Sequence, residues 1–188
     1  MKKISLKPSE SCNLEKLKEL LLYIAIKSEK DARFGAIKLN KILFYSDFAA
    51  YRTLGHSISD AEYQNLEEGP APRQLLPCRN ELIAQGDAQI ENVPYFNGIQ
   101  QKLVANREPH AEMFTKEELD IVDQVIEGLW LLNGKEVSLK SHDQLGWLLT
   151  EEGETIPYSA SYFSNEPLSE DQIEAGKEIA KKHDLLLV

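Results

Sequence analysis

The chain has 188 residues, 42% of them hydrophobic, with 31 acidic against 21 basic side chains and a formal net charge of -10. That length and apolar content suit one packed domain and exclude wholesale disorder, while the negative charge repels a polyphosphate and argues against nucleic acid as the main partner. Two cysteines, Cys12 and Cys78, make neither a C-x-x-C pair nor a disulfide framework. No run approaches the roughly 20 apolar residues that span a bilayer, so the expectation is a soluble protein of the reducing cytoplasm.

Residues 1–12 read as a leader or a short strand over Lys3 to Leu6. Pro8, Ser9, Glu10 and Ser11 occupy the place of the apolar run that secretion requires. Asn13 is placed to cap a first helix to about Ser28, with Leu14, Leu17, Leu21, Ile24 and Ala25 at helical spacing. A second helix runs from Gly35 or Ala36 to Leu54, where Ile37, Leu39, Ile42, Leu43, Tyr45, Phe48 and Ala49 form one broad apolar sector and Gly55 stops it. Lys38 and Lys41 lie off the centre of that sector. Glu62 to Leu66 reads as extended, Glu68-Gly69-Pro70 turns the chain, and Pro72 suits the first turn of a third helix over Arg73 to Gln85, closed by Gly86.

From Asp87 the pattern turns to strand. Two runs flank Asn97-Gly98, a dipeptide that accepts the positive φ values of a two-residue hairpin turn, and Pro94 confines its strand to an edge or a bulge. Thr115 and Glu118 form a capping box for a helix to about Leu132, with Asn133-Gly134 at the stop. A fifth helix covers Ser138 to Leu149, residues from Gly153 to Pro167 read as loop, and Ser169 with Gln172 opens a last helix ending near His183. The result is a mainly α (α+β) compact single domain of about six helices with a hairpin and short strands. Residues 13–158 form its body, and residues 159–188 are a loop and helix attached to it.

Chemistry is sparse in this pattern. His56, His110, His142 and His183 are scattered without a paired-ligand spacing, so no metal site is read from them. No phosphate-binding glycine loop and no nucleophile elbow occurs, and Gly69-Pro70 is too short and proline-rich to cradle phosphate. His142 and Asp143 are adjacent, but neighbours on a helix do not face each other as a catalytic pair must. Lys38, Lys41, Arg52 and Arg73 admit two readings, a basic patch around Tyr45 and Tyr51 or lysines that snorkel beside a core tyrosine; we favour the second. No catalytic residue, metal site or cofactor site is therefore assigned.

The stretch KLNKILFYSDFAAYRTLGHSISD followed by YQNLEEGPAPRQL resembles the signature of the Panacea domain, the SocA-like antitoxin family. Lys38, Leu39, Lys41, Leu43, Tyr45, Gly55, Glu62, Gly69 and Pro70 occupy its places, and Ser141, His142 and Trp147 in LKSHDQLGWLLTEEGETIPY are similar to its late segment. The likeness spans Leu14 to Tyr158. Phe44-Tyr45 stands where a double tyrosine is common, and Glu68 where an aromatic often precedes Gly-Pro. The resemblance implies an antitoxin that neutralises a cognate toxin by direct stoichiometric binding, with no cofactor and no turnover. It also implies that the signature residues are architectural, with the lysines at the edge of the central helix.

The charge points to a basic toxin as the partner. A protease is the second partner to consider, since the SocA branch implies adaptors that deliver a bound protein to one. A small hydrolase centred on His142 is the reading from a different class. No membrane contact and no specific binding of duplex DNA are expected. Trp147 is expected in the core, where truncation to alanine costs about 3–5 kcal/mol. For Tyr95 and Phe96 near the hairpin tip two readings stay open, a recognition surface for the partner or rings folded back on the helices.

Overall fold

The computed structural model describes residues 12–96, 98–163 and 169–182. The proposed strand over Lys3 to Leu6 and the residue His183 lie outside them. Helix α1 (Leu14–Lys27) starts at Asn13, whose side chain accepts the Lys16 N–H at 3.0 Å. Residues Leu17 to Ala25 are buried on every side of this helix, so α1 is a central rod and not a one-faced surface helix. Helix α2 (Ala36–Leu54) is its partner, stopped by Gly55 in the left-handed conformation at φ 83.

The chain then makes a two-residue ladder, β1 (Tyr63–Gln64) against β2 (Ala71–Pro72), pairing Tyr63 with Pro72. Pro72 thus does not open the third helix as its position suggests. Its missing N–H suits the edge of this minimal ladder, and α3 (Leu75–Gln85) begins three residues later and ends at Gly86, φ 80.

Strands β3 (Ala88–Tyr95) and β4 (Gly98–Ala105) form the hairpin. The register pairs Tyr95 with Gly98, so Gly98 is a strand residue and not, as expected, part of the turn. The reason lies at the root, where this register sets Ile90 opposite Leu103, with Leu103 in the core and Ile90 packed against it. A one-residue slip would turn one of them outward. Phe96 then takes the left-handed conformation, φ 48. Asn97 lies outside the described residues.

Thr115 and Glu118 form the expected capping box of α4 (Lys116–Leu129). Asn133 does not stop that helix but opens the next, capping α5 (Gly134–His142) in a second box with Glu136. The single helix expected over Ser138 to Leu149 is two, α5 and the short α6 (Leu145–Leu148), broken at Asp143 and Gln144. A 3-10 turn at Tyr158–Tyr162 follows, and α7 (Glu170–Lys182) begins after Ser169.

Among the described residues there are seven α-helices and two two-stranded sheets, a mainly α single domain. Helix α2 packs on α4 and α5, while α1 packs on α3 and β4. The hairpin root is clamped by charge: buried Glu19 of α1 takes two Arg107 bonds at 2.9 and 2.7 Å, and Arg107 also meets Asp87 at 2.9 Å. Arg107 keeps part of its side chain in water, but its two parallel bonds to the buried Glu19 carboxylate fix its geometry, so the hairpin leaves the body at a fixed place.

Candidate functional site

The signature residues converge on the inner side of α2, and the lysines are not at its edge. Lys38 and Lys41 are each 1% exposed. A periodicity argument counts lysine as polar and sends it outward, but the end of α4 leaves carbonyls without helical partners. Lys38 supplies the donors, bonding the Trp130 and Leu132 carbonyls at 3.0 and 2.9 Å and ion-pairing with buried Asp31. Asp31 also accepts the Arg33 N–H at 2.8 Å. Every donor of this ammonium has an acceptor, so a buried charge here is a three-way staple between the α1–α2 loop, α2 and α4.

Lys41 is held differently. Its Nζ donates to the Pro70 carbonyl at 3.0 Å and forms no ion pair among the described residues. Burial pulls its pKa down from 10.5 to about 8, opposed by the negative charge of Glu68. Gly69 is packed on that ammonium with φ 88, where a Cβ would stand 2.3 Å from Ser141 Oγ and 2.8 Å from Lys41 Nζ. Glycine at this position is therefore required twice, by conformation and by space. The same turn is held from α5, where the Ser138 hydroxyl donates to the Glu68 carbonyl at 2.8 Å and Ser141 donates to the Ser138 carbonyl at 2.7 Å.

Leu39 and Leu43 are core residues, and Tyr45 is half-buried with an unbonded hydroxyl whose pKa burial and Asp143 push up. Trp147 is half-buried and not in the core. Its ring stacks on His142 at 4.2 Å and its indole N–H donates to the Leu66 carbonyl at 3.0 Å, because α6 is a single short turn laid against the β1–β2 loop. No hydrogen bond links His142 to a serine, threonine or cysteine among the described residues, and its Nε2 is buried and unbonded. No group of three or more His, Cys, Asp or Glu could hold a metal ion among those residues. The basic patch is likewise not assembled, since two of its four cations are inside the protein.

One residue of this frame was not singled out from the sequence. Asp47 is fully buried in α2 and accepts four hydrogen bonds, from Ile58 N–H at 2.8 Å, Ser59 N–H at 2.9 Å, Ser59 hydroxyl at 2.6 Å and Tyr63 hydroxyl at 2.7 Å. Burial pushes its carboxyl up against those bonds, which hold it down. The available signal was an acid between Phe44 and Phe48 on an apolar helix, which must find donors or lose its charge.

The accessible feature is the hairpin tip. Phe96 is 90% exposed, while Tyr95 is half-buried and meets it edge-on at 4.7 Å. Beneath them a cavity of about 570 Å³ lies between the tip and the N-terminal ends of α2 and α5. Gln100 forms its inner wall, donating to the Phe34 carbonyl at 2.6 Å, and Gly35 admits that side chain, since a Cβ there would stand 2.5 Å from Gln100 Cγ. The structure thus gathers most of the signature positions into a frame that shapes α2 and its turn, with Gly55 and Glu62 exposed at its margin, and leaves an external pair, Tyr95 and Phe96, about a groove.

A family model described as antitoxin SocA-like, Panacea domain, matches residues 39–148. No curated protein and no solved structure matches the chain.

Proposed function

The chain belongs to the SocA-like antitoxin Panacea domain family, and on that premise we propose that it is the antitoxin of a toxin–antitoxin pair, neutralising a cognate toxin protein by stoichiometric binding. Residues 13–158 are the antitoxin domain, with residues 1–12 and 159–188 as appendages. No cofactor and no turnover enter this reading, and the place of action is the cytoplasm; no helix among the described residues is long and apolar enough to cross a membrane.

The observation that carries the binding part is Phe96. A ring that is 90% exposed buries little in the fold beyond its edge contact with Tyr95, and the hairpin register demands φ 48 at this position, which asparagine or glycine meets with less strain; a phenylalanine kept there is the kind of strained residue that binding sites retain. Tyr95 and Phe96 are the anchor residues of the partner interface, in the way that a few aromatic side chains dominate binding energy. The frame around Lys38, Lys41 and Gly69 acts only by holding α2 and its loops in place.

The test is capture of the tagged full-length chain from its native host, followed by mass spectrometry and size-exclusion chromatography. A one-to-one or symmetric complex with the product of a neighbouring small gene, toxic when expressed alone, is the expected result. A host in which no neighbouring gene is toxic and no protein co-purifies would overturn the reading.

A further inference from the structure

We propose that the groove beneath the hairpin tip receives an acidic, apolar segment of the partner protein. This rests on the binding reading above and names the chemistry of what is bound.

The walls are apolar: Phe96 is 90% exposed, Ile99 74% and Ile37 39%, all around one cavity of about 570 Å³. That volume falls within the roughly 300–1,000 Å³ of sites that enclose a ligand or an inserted side chain. The rim has one sign of charge. Arg33 and Lys135 line it, no carboxylate does, and neither cation has an ion-pair partner among the described residues. In a chain whose acids outnumber its bases, 31 to 21, two unpaired cations facing one apolar groove mark where a carboxylate from outside is favoured.

The backbone adds to this field. Gly35 caps α2 without a side-chain bond and the first turn of α2 contains no acid, so its free N–H groups and the positive end of its dipole remain uncompensated where Gly35, Ala36 and Ile37 line the groove. The start of α5 is already capped by Asn133, so there the positive charge comes from Lys135 itself. Gln100, tied to the Phe34 carbonyl, fixes the inner wall before any partner arrives, which lowers the ordering cost of binding.

The overall charge of -10 led to the expectation of a basic partner. The groove carries the opposite sign, so the inserted segment is acidic whatever the partner's total charge. Single-stranded nucleic acid, which also combines anions with flat rings, is disfavoured because two cations do not offset the repulsion of the whole chain.

The experiment is fluorescence anisotropy on the full-length chain with two labelled synthetic peptides of identical Leu and Phe spacing, one interspersed with Asp and Glu, the other with Lys and Arg. A labelled oligo(dT) is the third probe. The acidic peptide should bind at least about tenfold tighter at about 0.1 M salt. Arg33→Glu with Lys135→Glu should reverse that preference, and Ile99→Ser should weaken both peptides, with thermal melts unchanged. Equal binding, preference for the basic peptide, tighter binding of oligo(dT), or insensitivity to the charge reversal would each overturn the proposal.

The two readings fail separately. If wild type neutralises a toxin and the folded charge-reversed chain does so equally well, the groove assignment is wrong and the antitoxin reading stands. If the peptide preference holds and no toxin is neutralised, the antitoxin reading is wrong and the groove assignment stands.

Discussion

Lys38 and Lys41 sit three residues apart on α2 and are equally buried, yet replacing each by methionine should move stability in opposite directions. Lys38→Met leaves Asp31 buried without its countercharge and the Trp130 and Leu132 carbonyls, just past the end of α4, without this donor. Breaking a buried pair by removing one partner costs about 3–5 kcal/mol. Lys41→Met removes a charge that has one carbonyl and no carboxylate. The fall of its pKa from 10.5 to about 8 corresponds to about 3 kcal/mol spent on keeping the ammonium charged at neutral pH. Losing the bond to Pro70 returns about 1 kcal/mol of that, so the variant should be more stable than wild type by about 2 kcal/mol at pH 7.

The pH dependence gives an independent check. Between about 8 and 10.5 the unfolded chain still holds the Lys41 proton that the folded chain has released. Wild-type stability therefore rises with pH in this window relative to Lys41→Met, by up to about 1.4 kcal/mol per pH unit. Urea melts of wild type and both variants at pH 7 and at intervals up to pH 10 read these differences. The advantage of Lys41→Met should shrink and vanish across the window. A Lys41→Met loss as large as that of Lys38→Met, with no pH-dependent gap, would instead mean that Lys41 has a countercharge in the folded protein.

Three further outcomes follow from the geometry. Gly69→Ala should cost about 3 kcal/mol in a urea melt, from an unfavourable left-handed alanine and overpacking against Ser141 and Lys41. Phe96→Asn should leave stability within about 0.5 kcal/mol of wild type, since the relief at φ 48 is offset by the lost edge contact with Tyr95, while weakening partner binding at least about tenfold. Trp147→Ala should cost about 3 kcal/mol, the lower end for a large aromatic, since the ring is only half-buried, and Trp147→Phe about 1 kcal/mol for the lost bond to Leu66.

Local chemistry was legible in the sequence wherever a residue acts on its own neighbours. Asn13, Gly55 and Gly86 cap the helices they flank, and Thr115 with Glu118 closes the box its spacing predicts. The hairpin was legible from its two runs, but its turn was not, because the register answers to Ile90 and Leu103 at the far end of the strands. Pro72 looks like a helix opener until its pairing with Tyr63 is known. The lysines and Asp47 were illegible for one reason: their partners lie 7 to 94 residues away along the chain, and a buried charge is set by those partners and not by its place in a helical period. The hairpin tip could be named in advance as two rings beside a turn, whereas the groove needed α2, α5 and β4 brought together.

Toxin neutralisation itself is tested most directly by growth. Cells expressing the neighbouring toxic gene are co-transformed with wild type, with Phe96→Asn, with the charge-reversed Arg33→Glu and Lys135→Glu chain, and with His142→Ala, each at matched soluble levels. Wild type and His142→Ala should rescue growth, since no nucleophile is bonded to that histidine among the described residues, and the groove and tip variants should not. Failure of wild type to rescue, or a rescue abolished by His142→Ala while the toxin is still bound, would contradict neutralisation by binding.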